Sequence, residues 1–201
     1  MKTLLYVLTI SGLKVGTKLI EVAYNLGLGF LIRSTNLYKI TKANLLVVFT
    51  NKSENEIEKL TDESCRETLV SFFESAYSWG HGPQNTAFHV NKVVNRYLYS
   101  QETKHNPRLC FSFHNRSIDF LLSWLLVQSE STTMYKPIKL QSFDEFVKKH
   151  RSYNNSLPVE ASLKGVRQML KDIKSNKTIN VASDQVPQRK LGTESYFFGR
   201  K

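Results

Sequence analysis

From residue 105 onward, short apolar runs with β-favouring residues alternate with segments of helical periodicity, and this pattern restricts the fold most. Arg108-Leu109-Cys110-Phe111-Ser112-Phe113 reads as a buried strand. From Ser117, Ile118, Phe120, Leu121, Leu122, Trp124, Leu125 and Leu126 predict a largely buried helix. Thr132 to Tyr135 reads as a second strand, stopped by Pro137. Ser142-Phe143-Asp144-Glu145 has the form of a capping box opening a helix that reaches about Arg151. Asn154-Asn155 and Pro158 predict a loop. Leu163, Val166, Leu170 and Ile173 recur at spacings of three and four, an amphipathic helix with Lys164, Arg167, Lys171 and Lys174 on its outer faces. Thr178 to Ala182 reads as a third strand. Such alternation predicts an α/β fold: a mainly parallel sheet with crossover helices. Ligands of these sheets sit at the carboxyl ends of the strands. Three polar residues fall there: His114 after the first strand, Lys136 after the second and Asp184 after the third.

The first half of the chain is helical in pattern. Ser53-Glu54-Asn55-Glu56 is a capping box, and Ile57, Leu60, Leu69, Phe72 and Phe73 predict helix from about 54 to 79. Residues 88–99 read as a short helix or a strand. Residues 1–35 hold two apolar runs, Thr3 to Leu13 and Val22 to Ile32. Each is shorter than the roughly 20 apolar residues of a spanning helix. Joining them would bury Lys14, Lys18 and Glu21, so helices lying in a membrane interface with lysines at headgroup level fit better. A pair of helices in a soluble core is the alternative. The expected division is therefore 1–35, membrane-associating helices, and 36–201, an α/β domain.

The 201 residues carry 28 Lys and Arg against 17 Asp and Glu, a formal net charge of +11. Such a surplus calls for an anionic partner, whether nucleic acid, lipid surface, phosphorylated substrate or acidic protein. The basic residues are scattered, not clustered as on a groove-reading helix, so nucleic acid is not expected. Cys65 and Cys110, the only cysteines, form no disulfide framework and no zinc spacing, and read as free thiols in a reducing compartment. Gly-x-Ser-x-Gly, His-Glu-x-x-His, P-loop and Gly-x-Gly-x-x-Gly motifs are all missing from the sequence. No metal or cofactor is expected.

The candidate chemistry lies in Phe113-His114-Asn115-Arg116-Ser117-Ile118-Asp119. His114 ends a strand. Asp119 lies in the first turn of the next helix, where the dipole favours a carboxylate. That turn can bring Asp119 back toward the imidazole, fixing its tautomer and leaving the other nitrogen as a base. General-base help of this kind accelerates attack of an alcohol on an acyl carbonyl by about 10²–10⁴-fold. A lone His-x4-Asp is also a common chance pattern of a strand end followed by a helix cap.

Several stretches match a known family in order. Asn44-Leu45 through Phe49 followed by the Ser53 helix start, His114 to Asp119, Tyr135-Lys136-Pro137, Arg151, Asp184-Gln185-Val186-Pro187 and Phe197-Phe198-Gly199 resemble the lipid A biosynthesis acyltransferases. These late acyltransferases belong to the wider His-x4-Asp/Glu glycerolipid acyltransferase group. The resemblance implies transfer of a fatty acyl chain from acyl-acyl carrier protein to a hydroxyl of a lipid A precursor, at the cytoplasmic face of a bacterial inner membrane. His114 would be the general base and Asp119 its orienting partner. Arg151 would bind substrate phosphate or support the site electrostatically. Asp184, Gln185 and Lys136 would line the substrate site. Acyl carrier protein, lipid A phosphates and the membrane surface are all anionic, which accounts for the charge.

Three departures stand out. Thr50 occupies a position where proline is usual. Lys136 replaces an arginine, losing bidentate phosphate recognition. Family members continue well past Phe-Phe-Gly, so the chain is expected to be a fragment or a truncated product with an incomplete acyl pocket. Two alternatives stay open: acylation of another membrane glycolipid or lysophospholipid by the same machinery, and an inactive membrane-binding remnant.

Overall fold

The computed structural model describes residues 1–99, 106–114, 116–184 and 196. Its contacts define two units, Met1–Gly12 with Glu74–Asp184, and Leu13–Phe73 among the described residues.

The second unit is helical. Helix α1 (Lys2–Leu8) belongs to the first unit; α2 (Leu13–Ala23) runs through a π-helical turn at Tyr24–Leu28 into α3 (Gly29–Arg33). Residues Leu13–Arg33 thus form one helical stretch of 21 residues with a mean hydropathy of 1.3, long and apolar enough to cross a membrane. Two separate interfacial runs were expected. The backbone breaks at Gly12, with φ of 79°, and kinks again within the stretch at Gly27, with φ of 143°, both values that favour glycine. Helix α4 (Asn36–Val48) and the start of α5 (Glu54–His81) complete the unit. The Ser53 capping box forms: the Ser53 amide donates to Glu56 Oε2 at 2.9 Å and the Glu56 amide to Ser53 Oγ at 3.4 Å. Tyr24, Tyr38 and buried Cys65 make the core, with Ile32, Leu37 and Leu69 against it. Asp62 accepts hydrogen bonds from Tyr24 and Arg33. Both cysteines are free thiols.

The first unit holds the sheet. Its strands are β1 (Arg108–Ser112), β2 (Ser131–Tyr135), β3 (Leu157–Glu160) and β4 (Thr178–Ala182), in the order β1-β4-β2-β3 and all parallel. Helices α7 (Ile118–Gln128), α8 (Gln141–Arg151) and α9 (Leu163–Lys174) are the crossovers, and α6 (Pro83–Phe88) packs on α7. The steps from β1 to β2 and from β2 to β3 run one way across the sheet, and the step from β3 to β4 runs back. Right-handed crossovers therefore place α7 and α8 on one face and α9 on the other. Met169 of α9 packs there on Val159 and Ile179, with Met134, Ile173 and Val181 around them.

Four local expectations are corrected. Residues 157–160 are a strand, although Pro158 argued for a loop. Pro158 lacks an N–H, which an edge strand tolerates, and β3 pairs only with β2 among the described residues. Asn154 and Asn155, at φ of 55° and 57°, turn the chain into it. The Ser142 capping box does not form. Helix α8 starts two residues earlier with Leu140 at its cap, and Asp144 accepts from the Ile138 amide at 2.9 Å. Strand β1 is not buried, because nothing described covers the side of it that carries Leu109 and Phe111. In α9 the buried residues are Gly165, Met169 and Asp172, not Leu163, Val166 and Leu170.

Candidate active site

The strand register builds the site. Each β1 residue pairs with the β4 residue seventy positions later, from Arg108 and Thr178 to Ser112 and Ala182. Continued past the strands by the Ser183 amide, which donates to Ser112 O at 2.8 Å, this register sets His114 beside Asp184. One Asp184 oxygen accepts the His114 main-chain N–H at 2.8 Å, and the other lies 2.9 Å from His114 Nδ1. The carboxylate thus holds the residue twice, fixing ring position and tautomer together. Burial pushes the Asp184 carboxyl upward, but the hydrogen bonds from the His114 amide and ring outweigh it and leave it below the usual carboxylate range. With the proton on Nδ1, Nε2 is the basic nitrogen. It makes no hydrogen bond to a described residue, and the side chain is 43% exposed.

Asp119 has a different partner from the one expected. It is buried in the first turn of α7, capped by Ser117, whose Oγ accepts from the Phe120 amide at 3.3 Å. Its carboxylate pairs with Arg151 Nη2 at 2.8 Å. Arg151 ends α8, so an anion at one helix N-terminus meets a cation at another's C-terminus. Both side chains are largely buried. The pairing leaves Arg151 in an internal, supporting place. Its Nε, also buried, has no hydrogen-bond partner among the described residues.

Beneath this pair lies a polar layer with no sequence signal. Ser78 of α5 lies 2.6 Å from Ser123 of α7, and Ser123 Oγ donates to the Asp119 carbonyl at 2.8 Å. His150 Nε2 is 3.3 Å from Ser123 Oγ. Burial lowers the His150 pKa to about 4, partly opposed by the Asp119 charge, so the imidazole is neutral. Glu74 of α5 holds Arg116 at 2.9 Å, fixing the loop between His114 and α7, where Arg116 takes φ of 49°. Arg116 and Ser117 open onto a hollow of about 490 Å³ whose walls include Val90, Val93, Phe120 and Trp124.

The site residues thus form two pairs, His114 with Asp184 at the carboxyl ends of β1 and β4, and Asp119 with Arg151 between the first turn of α7 and the end of α8. Lys136 follows β2, is exposed and forms no ion pair with a described residue. Gln185, Val186-Pro187 and the Phe197-Phe198-Gly199 block lie outside the described residues.

An imidazole held by a carboxylate at the end of a parallel strand leaves a ring nitrogen that can take a proton from a nucleophile. Chemistry of that kind suits acyl transfer. The chain belongs to the bacterial lipid A biosynthesis acyltransferase family, whose model matches residues 6–201. No curated protein matches the chain. The family is one of membrane-associated acyltransferases acting in lipid A biosynthesis.

Proposed function

We propose that the protein moves a fatty acyl chain from acyl-acyl carrier protein to a hydroxyl of a lipid A precursor, at the cytoplasmic face of the inner membrane. The observation that supports this best is the double hold of Asp184 on His114, which turns Nε2 outward as a base. In the step, Nε2 takes the proton of the acceptor hydroxyl as its oxygen attacks the thioester carbonyl. The tetrahedral intermediate collapses, the carbon–sulfur bond breaks, and the imidazolium returns the proton to the departing thiolate. Asp184 stabilises the imidazolium between the two transfers. Asp119 and Arg151 act as a supporting pair that fixes the start of α7 against α8. The hollow beside Arg116 and Ser117, walled by Phe120 and Trp124, suits a hydrocarbon chain. The helical stretch Leu13–Arg33 is one membrane-associating part of the chain.

The test is an assay with detergent-purified protein, acyl-acyl carrier protein and a tetraacylated lipid A precursor. Acylated product is expected, with loss of roughly 10²–10⁴-fold in rate for His114→Ala. A His114→Ala variant as fast as the parent would remove the base from the mechanism. Product formed only with a lysophospholipid acceptor would assign the protein to the related glycerolipid reaction.

A further inference from the structure

The face of the sheet that carries α9 has a second feature. Side chains of paired residues in a parallel sheet point to the same side, so Leu109 and Phe111 of β1 lie on the face of Ile179 and Val181, the α9 face. Phe113 continues that alternation. Helix α9 covers β4, β2 and β3 with Met169 and Ile173, and among the described residues none covers β1 on this side, where Leu109 and Phe111 are exposed.

The rotation of α9 tells which of its flanks borders β1. Gly165 lies against the Glu160 carbonyl and Val159 of β3, and Asp172 accepts from Thr132 Oγ1 of β2 at 2.6 Å. That flank therefore faces β2 and β3. At 100° per residue the opposite flank carries Ile173 and then Val166, Leu170 and Leu163, and it faces β4 and β1. The result is an apolar trough with Leu109, Phe111 and Phe113 on one side and Val166, Leu170 and Leu163 on the other. Their exposures run from 42% at Val166 to 67% at Leu163.

The rim of the trough is cationic. Lys174, Arg167, Lys171 and Lys164 follow the apolar flank around the helix. None of the four forms an ion pair with a described residue, and all are exposed. The helix's one carboxylate, Asp172, is buried against the sheet. Exposed aliphatic and aromatic side chains beside a row of unneutralised cations match an anionic bilayer surface, with hydrocarbon for the trough and phosphates for the rim.

We propose that this face, α9 with the outer side of β1, docks on an anionic lipid surface. Phe113 immediately precedes His114, so docking there would bring the proposed base to the level of a lipid acceptor. The proposal deepens the acyl-transfer reading in that respect, but lipid contact is measurable without turnover, so either can fail alone.

The experiment uses the full chain carrying Cys110→Ala and Leu170→Cys, with an environment-sensitive fluorophore attached to the thiol that L170C introduces; Cys65 is fully buried and unlabelled under native conditions. Vesicles are phosphatidylglycerol with phosphatidylcholine, or phosphatidylcholine alone. With anionic vesicles the emission is expected to shift blue, with quenching by a nitroxide-labelled lipid and protection from aqueous iodide. A second label at Asn155→Cys, on the exposed turn before β3, should stay open to iodide. Arg167→Gln, Lys171→Gln and Lys174→Gln together should weaken the probe's partitioning by roughly 10²-fold, at about fivefold per cation; the three Glu changes should give a larger loss in the same direction. The proposal is overturned if the chain pellets with anionic vesicles while the probe stays open to iodide. It is equally overturned if the probe is shielded without lipid as protein concentration rises, which would mean a second copy, or only by an added acidic protein such as acyl carrier protein.

Discussion

Asp184→Asn tests the site most directly. The aspartate uses both oxygens on His114, one on the main-chain amide and one on Nδ1. Asparagine offers one acceptor. If that oxygen keeps the main-chain amide, the side-chain NH₂ faces Nδ1 and donates to it. The ring then carries its proton on Nε2 and has no base to present to an alcohol. The electrostatic part can be bounded. Opposite unit charges at 2.9 Å attract by about 1.4 kcal/mol in water and about 6 kcal/mol at an effective dielectric of 20. Side chains 43% and 31% exposed belong in the lower part of that range, about 1.5–3 kcal/mol, or roughly 10–10²-fold in rate. Loss of the correct tautomer adds to it, toward the roughly 10⁴-fold known for the equivalent change in a serine-protease triad. The expected result is a fall in kcat of about 10²–10⁴-fold with KM changed by no more than about threefold, because the carboxylate does not touch substrate in this reading. The assay is initial-rate acyl transfer from acyl-acyl carrier protein, with circular dichroism to show that the fold survives. A folded Asp184→Asn protein with parental kcat refutes the reasoning. If Asp119→Asn abolished kcat in the same assay while leaving stability unchanged, the orienting role would pass back to Asp119.

Three further outcomes follow from the packing. The Asp119–Arg151 pair is largely buried, so Asp119→Asn alone should cost about 3–5 kcal/mol of stability by stranding the guanidinium, and a second change, Arg151→Met, should recover part of it in urea unfolding; a double-variant cost equal to the sum of the two single-variant costs would show that the pair is not coupled. His150 has a pKa of about 4 when folded and near 6.5 when unfolded, so the unfolded chain takes up the proton first on acidification. Stability is then lost as pH falls from about 6.5 to about 4, by roughly 3 kcal/mol as an order of magnitude, and His150→Gln should flatten that slope; an unchanged slope would place the lability elsewhere. At Gly165 an added Cβ would lie 2.0 Å from the Glu160 carbonyl oxygen, a backbone atom that cannot swing aside, so Gly165→Ala should destabilise the β3–α9 corner by about 1–3 kcal/mol, read as a lowered Tm.

Elements with strong local pattern were legible in the sequence; their partners were not. Thr178–Ala182 is a strand with the bounds its β-favouring residues indicate, and α7 follows its apolar run closely. The parallel α/β class came from alternation alone. What alternation cannot supply is strand order. His114 looks to Asp119 because five residues and one helical turn connect them. Its structural partner, Asp184, is reached only because β4, the last strand among the described residues, inserts beside β1 with a seventy-residue offset. That choice is made by long-range packing of Ile179 and Val181 under α9, which leaves no trace near residue 114. The same cause turned α9. Spacing of three and four selects Leu163, Val166 and Leu170 as an inward stripe, but Gly165 is the residue small enough to approach the Glu160 carbonyl, and it pulls its own side of the helix down. The stripe is thereby rotated to the flank, where it stays exposed beside the cations. A hydrophobic period thus gives the width of an apolar face, while the closest permitted backbone approach decides where that face points. Both the base's partner and the proposed lipid-facing trough arise from that second, tertiary decision.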